Sequence, residues 1–274
     1  MGGHEGGKEA SALAVELFKK RFEHQTPLEL EKWIEAGERF IRDVSECIRR
    51  TAMEKGHEVS GTTFTGAVVE LLPVLEKRAS IRQVVETGVQ NGEAFVMIAH
   101  VGDSHAYIHR SAGSLELITT DDDCLSDIMH GKLDSNTDAN TVHTQIRELQ
   151  RALDGLEMAE KKRLLTESYN FTSDEIARYE KEGHTIIAAL GVEVPDKPFV
   201  SFTHLLPGDT LILLSDGLDV LTHAEKEKIL QEAIDAEMAS QELILQATLK
   251  VKQKRVKDDD MTVAILENTY TEEH

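Results

Sequence analysis

The region from residue 61 to residue 119 contains short segments rich in β-branched and aromatic residues, separated by turn residues. This pattern predicts strands at 62–72, 83–87, 94–101, 105–109 and 115–119. Asn91-Gly92 is a strong signal for a two-residue hairpin turn, and Ser111-Ala112-Gly113 is a second turn signal. Consecutive hairpins pair neighbouring strands, so the region predicts an antiparallel meander.

Helical patterns flank this meander on both sides. Apolar residues recur at helical spacing from about residue 7 to 22, and again in a longer stretch that begins after Pro27 and contains Trp33. Two further helices are predicted at about 223–234 and 236–250. Two helices before the strands and two after them favour an α+β fold, a four-layer α/β/β/α sandwich of two antiparallel sheets flanked by helix pairs.

A polar and largely helical segment at about 121–183 follows the meander. Helices are predicted there at 141–153, 158–168 and 173–182, with Ser173 as a candidate N-cap. The segment is either a specificity element or a solvated insertion without a direct role. We expect one domain over 1–274 that carries this segment as an insertion.

Composition bears on the compartment and on the partners. The chain has 274 residues, 40% of them hydrophobic, and a formal net charge of −20, which disfavours a nucleic-acid partner. No segment approaches the roughly 18 apolar residues of a membrane span, and no secretory signal is present. Cys47 and Cys124 lie on different segments and suggest no disulfide framework. We expect a cytoplasmic protein that binds neither nucleic acid nor a membrane.

Three aspartates lie at the edges of predicted strands. Asp216 follows an apolar run, Asp103 lies in a Gly-Asp-Ser corner, and Asp259 belongs to an acidic triplet before a short apolar strand. If these strands are neighbours, the carboxylates converge, and they repel one another unless cations neutralise them. Ligands that are all oxygen favour Mg²⁺ or Mn²⁺ over zinc. Taken singly, each segment also fits an ordinary turn or a solvated charge run.

Several short motifs, taken in order, carry a resemblance to a known family. They are Met1-Gly2-Gly3-His4-Glu5-Gly6-Gly7, Gly61-Thr62-Thr63, Gly102-Asp103-Ser104-His105-Ala106-Tyr107, the segment 184–191, Ser215-Asp216-Gly217-Leu218 and Asp259-Asp260-Met261-Thr262-Val263. The set resembles the motifs of the metal-dependent protein phosphatases (PPM, or protein phosphatase type 2C) in their bacterial form. In that family, the segment matching 184–191 is a helix. The ordered set is specific although no single motif suffices.

The resemblance implies a Mg²⁺- or Mn²⁺-dependent serine/threonine protein phosphatase. Two cations would activate a water that attacks the phosphoryl group of phosphoserine or phosphothreonine, and a third, accessory cation site is possible. Asp216 and Asp259 would bind the first cation and Asp103 the accessory one, with no catalytic residue beyond these ligands. The substrate would be a phosphoprotein, opposing a serine/threonine kinase, and the insertion would be the family's flap beside the active site.

Further residues would lie next to the cations without binding them. By resemblance these are Gly2, Gly3, His4, Ser104, Gly217 and Asp260. The sequence also departs from the family pattern, with His105 in place of the usual Arg, Asp260 in place of Asn and Asp122 in place of a frequent His. His105 either leans toward the site or faces solvent.

The largest departure concerns the first motif. In the family, an aspartate that bridges both catalytic cations stands just before the Met-Gly-Gly turn, and here that turn begins at Met1. The chain therefore looks truncated inside the first metal motif, and we expect the sandwich to lack its first strands. Either the native protein begins upstream of Met1, which we favour, or this is a catalytically impaired phosphatase fold that acts as a partner-binding or regulatory module.

Overall fold

The structure is a computed structural model that describes residues 6–23, 30–71, 92–133, 137–183, 185–254 and 259–270. Its strands are β1 (Phe64–Leu71), β2 (Ala94–Val101), β3 (His105–His109), β4 (Leu115–Leu117), β5 (Phe199–Leu205), β6 (Thr210–Leu214) and β7 (Val263–Glu267). Its helices are α1 (Gly7–Phe22), α2 (Leu30–Glu54), α3 (Cys124–Lys132), α4 (Ala139–Leu153), α5 (Met158–Tyr169), α6 (Ser173–Glu182), α7 (His223–Glu232) and α8 (Ala236–Lys254). Within the described ranges, no helix is both long and apolar enough to cross a membrane.

The strands form two antiparallel sheets. In the described part of the chain the first sheet has the order β1-β2-β5 and the second has the order β4-β3-β6-β7. Every residue of β2 is buried, as a central strand with two covered faces requires. Side chains such as Ile98 from the first sheet and Ile108 from the second, both fully buried, form the layer between the sheets.

Helix pairs cover the two outer faces. Trp33 and Ile41 of α2 pack with α1 against Met97 of the first sheet. On the other side, Leu243 of α8 packs with α7 against Ile212 of the second sheet. The α/β/β/α order of layers is therefore confirmed, and the prediction came from the change between helical and strand periodicity along the chain.

The segment at 121–183 contains four helices with a hydrophobic core of their own. Ile146, Leu149 and Leu165 are completely buried in this cluster. Three of the helices were predicted, whereas α3 was not. The predicted strand at 83–87 and the Asn91 half of the hairpin signal lie outside the described residues.

The helix implied by the resemblance at 184–191 is wrong. Residues 185–190 are not helical. They form antiparallel bridges from Ile186 to Asp123 and from Leu190 to Thr62. Thr185, Ile186 and Ile187 are consecutive β-branched residues, whose restricted side chains favour extended backbone. This segment therefore connects the helical insertion to the sheets.

The N-cap of α6 also differs from the prediction, and it provides a test. Thr172, not Ser173, accepts a hydrogen bond from the backbone N–H of Glu175, and the Glu175 carboxylate accepts one from the Thr172 N–H. Thr172→Ala is expected to lower the free energy of unfolding by about 1 kcal/mol because it removes this reciprocal cap. Chemical denaturation measures this, with Ser173→Ala as the matched control. An equal loss in both variants would contradict the assignment of the cap.

Candidate metal centre

The corner between β2 and β3 carries Asp103 and is built on a glycine that cannot be replaced. Gly102 has a φ of +107°, and a Cβ there would lie 2.6 Å from Cγ2 of Thr63. The hydroxyl of Thr63 lies 3.1 Å from the hydroxyl of Ser104. The predicted Gly-Thr-Thr and Gly-Asp-Ser motifs therefore meet at this corner, as neighbouring strands allow.

Asp122 fastens the other side of the same corner. Its backbone N–H donates to the Gly102 carbonyl at 2.7 Å, and its Oδ2 accepts from the Gly102 N–H at 2.9 Å. Burial raises the pKa of Asp122 to about 7, while the bond from Gly102 opposes the rise. The residue that replaces the family's frequent His thus supports the corner that holds Asp103.

A 3₁₀ turn at Asp216–Leu218 follows β6, and hydrogen bonds of Ser215 connect it to the segment that leads into β7. The Ser215 hydroxyl donates to the Asp260 carbonyl at 3.1 Å and accepts from the Thr262 N–H at 2.8 Å. A Cβ on Gly217 would lie 2.5 Å from that same Asp260 carbonyl. Glycine is required here by close approach of two backbones rather than by a left-handed conformation.

These two turns bring the predicted carboxylates within electrostatic reach of one another. Burial, followed by the charges of Asp216 and Asp121, raises the pKa of Asp103 to about 7. Burial, followed by Asp259 and Asp219, raises the pKa of Asp216. Oδ1 of Asp103 is buried and accepts no hydrogen bond. A hard cation would reduce the repulsion among these carboxylates and would bind the buried oxygen that has no hydrogen-bond donor.

The arrangement is nevertheless incomplete as a ligand set. Within the described ranges, no group of three or more His, Cys, Asp or Glu side chains is placed to hold a metal ion. Gly2, Gly3 and His4 lie outside the described residues. The oxygen chemistry of the carboxylates fits Mg²⁺ or Mn²⁺, and their pairwise interactions connect Asp103 to Asp216 and Asp216 to Asp259.

His105 lies between two further carboxylates and does not face solvent. Its Nε2 is 2.9 Å from Oδ1 of Asp121, and its Nδ1 forms an ion pair with Oδ1 of Asp219 at 3.2 Å. Burial alone would lower the pKa of His105, but Asp219 and Asp121 raise it well above its usual value. The two carboxylates therefore favour the protonated form of His105.

Lys226 of α7 adds a second buried cation to this group. The residue is 3% exposed, and its Nζ lies 3.0 Å from Oδ1 of Asp219 and 3.5 Å from the Tyr107 hydroxyl. Although burial opposes it, the charges of His105 and Lys226 lower the pKa of Asp219 to about 2. Asp219 is thus held ionised between two cations, close to Asp216 along the chain.

Sequence reasoning did not single out Asp121, Asp219 and Lys226. The signal in the sequence was weak, because Lys226 lies in a charged helix and Asp219 follows the Ser-Asp-Gly turn without a spacing that marks a site. The positive charges of His105 and Lys226 limit the repulsion among the surrounding carboxylates. The pKa values of Asp103 and Asp216 nevertheless stay raised, which shows that repulsion between these two carboxylates is not fully neutralised.

The raised pKa of Asp103 predicts how pH affects stability without divalent cations. A carboxyl group that titrates near 7 when folded and near 4 when unfolded favours the folded state below pH 4, and this contribution is lost as pH rises to 7. Asp103→Asn removes the ionisable group, so it should stabilise the cation-free protein at pH 8 by about 2 kcal/mol relative to the parent. Thermal unfolding at pH 5 and pH 8 in EDTA measures this. If Asp103→Asn is less stable than the parent by the same amount at pH 5 and at pH 8, the raised pKa of Asp103 is contradicted.

No family model and no curated protein sequence matches this chain. Solved structures do match. The serine/threonine phosphatase Stp1 from Staphylococcus aureus is 22% identical, with a TM-score of 0.62 over 97% of this chain and 79% of that one. The serine/threonine phosphatase PstP/Ppp from Mycobacterium tuberculosis is 22% identical, with a TM-score of 0.59 over 97% and 85% of the two chains.

A second PstP structure holds two manganese ions in its catalytic domain. It is 23% identical, with a TM-score of 0.56 over 97% of this chain and 82% of that one. These matches span nearly all of the chain. The chain has the fold of the bacterial serine/threonine phosphatases of the PPM type.

Proposed function

We propose that this chain binds Mn²⁺ or Mg²⁺ and removes phosphate from phosphoserine or phosphothreonine in proteins. The observation that carries the proposal is the buried Oδ1 of Asp103, which has no donor and lies in a phosphatase fold where Asp103 and Asp216 repel each other. The charge of His105 offsets only part of this repulsion, and a cation between the two carboxylates would neutralise the rest.

Each carboxylate has a separate role in this proposal. Asp216 and Asp259 hold one cation, and Asp103, with a share of Asp216, holds an accessory one. Bound cations would neutralise the phosphoryl oxygens and lower the pKa of the attacking water. Ser215 and Gly217 hold the turn that carries Asp216 against the backbone of Asp260, and His105 would supply a positive charge beside the centre.

The remaining expectations depend on this proposal. The substrate is a phosphoprotein, which places the chain opposite a serine/threonine kinase in a cytoplasmic setting. The single domain over 1–274 presents its helical insertion at 121–183 as a flap beside the centre. The two manganese ions in the PstP structure support the choice of cation.

A second candidate function is a partner-binding or regulatory module with the phosphatase fold but little activity. The absence of a group of three ligating side chains among the described residues favours it. The two candidates differ in cation binding. A catalytic centre takes up two cations, whereas the impaired fold takes up at most one, and weakly.

Calorimetric titration with Mn²⁺ and phosphate release from a phosphothreonine peptide, measured on the same preparation, test the proposal. We expect saturable Mn²⁺ binding and turnover that EDTA abolishes and added Mn²⁺ restores. One weak site without turnover would support the second candidate instead. Turnover that persists in EDTA would overturn the assignment of a metal-dependent phosphatase.

A further inference from the structure

A cavity of about 970 Å³ lies between the helical insertion, α2 and the start of β5. We call it the insertion cavity. It is lined by α3 and α4 on one side and by the segment 187–199 and Ile34 on the other. Asp103, Asp216 and Asp259 do not line it. Its volume is at the upper end of the range of small-molecule sites, which span about 300–1,000 Å³.

One wall of the insertion cavity is apolar and partly uncovered. It contains Ile34, Ile187, Val194, Pro195, Phe199 and Phe202. Ile187 is 41% exposed, although a side chain of its size is normally buried. An apolar ligand body placed on this wall would remove that surface from water, which is favourable in proportion to the area covered.

The opposite wall carries a cation without a carboxylate partner. The guanidinium of Arg147 donates to the Ile118 carbonyl at 3.0 Å and to the Thr144 hydroxyl at 3.1 Å, both uncharged acceptors. Among the described residues it forms no ion pair, and burial lowers its pKa although the charge of the neighbouring Glu148 partly opposes the shift. Half-buried arginines usually have an acidic partner, so this charge is available to an anion.

The acidic groups of the same cavity are already occupied or lie at its rim. Asp127 pairs with Arg178 at 2.8 Å, and Glu38 pairs with Arg42 at 3.3 Å. Asp122 accepts the Gly102 N–H at the β2–β3 corner. Glu193 and Lys197 also line the cavity, are exposed to solvent and carry opposite charges. Arg147 therefore sets the sign of the charge that the interior can accept.

His143 gives the interior a neutral polar group beside the apolar wall. Its ring lies 4.9 Å from the Phe199 ring in an edge-to-face arrangement, and its buried Nδ1 has no hydrogen-bond partner. Burial, then the charges of His130 and Arg147, lowers the pKa of His143 to about 4, so it is uncharged at pH 7. The hydroxyl of Ser126 is also buried in this wall without a partner.

We propose that the insertion cavity binds an amphipathic organic anion, with its acidic head on Arg147 and its apolar body against Phe199 and Ile187. His143 and Ser126 lie where a polar group near the head would bond to them. None of the three carboxylates Asp103, Asp216 and Asp259 lines the insertion cavity, so ligand binding can be tested without phosphatase activity.

Titration with 8-anilinonaphthalene-1-sulfonate, an aromatic anion that fluoresces in apolar sites, tests the proposal on the full chain. We expect saturable binding of one molecule, and Arg147→Gln should weaken it by about tenfold, because a hydrogen-bonded ion pair is lost. Arg151→Gln on the exposed side of the same helix is the matched control and should bind as the parent does. Ile187→Asp adds a negative charge to the apolar wall and should also weaken binding.

Competition separates the anionic head from the apolar body. Decanoate should displace the dye at lower concentration than decan-1-ol, which has the same chain without the charge. Thermal unfolding of each variant shows whether it is folded at the assay temperature. Equal affinity of Arg147→Gln and Arg151→Gln, or equal displacement by the acid and the alcohol, would overturn the proposal.

Discussion

Asp216→Asn is expected to lower the affinity for Mn²⁺ and the rate of phosphate release from a phosphothreonine peptide, each by at least about 100-fold. Loss of supporting residues around a metal typically costs 10- to 100-fold, and a direct ligand shared by two cation positions should cost more. Asn keeps the size of the side chain and removes its charge. The effect should therefore appear in calorimetric titration with Mn²⁺ as well as in the activity.

The same substitution should not weaken the fold. Burial and the charges of Asp259 and Asp219 raise the pKa of Asp216, so its ionised form is a cost in the cation-free protein. Asp216→Asn should match or exceed the parent in thermal stability in EDTA. Asp43→Asn, an exposed carboxylate on α2, controls for net charge and should change neither property. Unchanged Mn²⁺ affinity in Asp216→Asn would contradict the role given to this residue.

Local patterns in the sequence were sufficient to predict most of the fold. The bounds of α1, β2 and β3 agree with the structure because each segment has one clear period and a turn or cap at each end. The helix at 124–132 was not predicted. It begins in an acidic triplet whose Asp123 caps it, which on sequence grounds is also typical of a solvated loop.

The candidate site could be predicted only in part, because its contacts join distant parts of the chain. Asp103 and Asp216 stand out through their turns, which have recognisable local sequences. The contact between Lys226 and Tyr107 spans 119 residues, and no local pattern in either segment predicts it. Arg147 likewise looks like one more charge on an amphipathic helix until the opposite wall of the insertion cavity is known.

Asp209 supports β6 at the end opposite to Asp216, and we expect its loss to have the largest effect on stability. The side chain is 1% exposed. It accepts hydrogen bonds from Arg110 at 2.8 Å, from the Ser111 N–H at 2.9 Å and from the Leu206 N–H at 3.0 Å. Asp209→Ala should lower the free energy of unfolding by about 3–5 kcal/mol, as expected when one partner of a buried ion pair is removed.

The loss has a definite physical origin, which a graded pair of variants can resolve. Asp209→Ala leaves the Ser111 and Leu206 N–H groups without their acceptor at a point where the β3–β4 and β5–β6 turns meet. It also removes the buried one of the two carboxylates that Arg110 contacts, while Glu116 and the His204 carbonyl remain as acceptors. Asp209→Asn keeps one carbonyl oxygen, so in urea denaturation it should fall between alanine and the parent, while Asp43→Ala stays within about 0.5 kcal/mol. If the free energy of unfolding of Asp209→Ala lies within about 1 kcal/mol of the parent's, the Asp209 side chain does not stabilise these turns and the prediction is wrong. Because Asp209 and Asp216 lie at opposite ends of a five-residue strand, the folded fraction of Asp209→Ala should keep the parent's Mn²⁺ affinity.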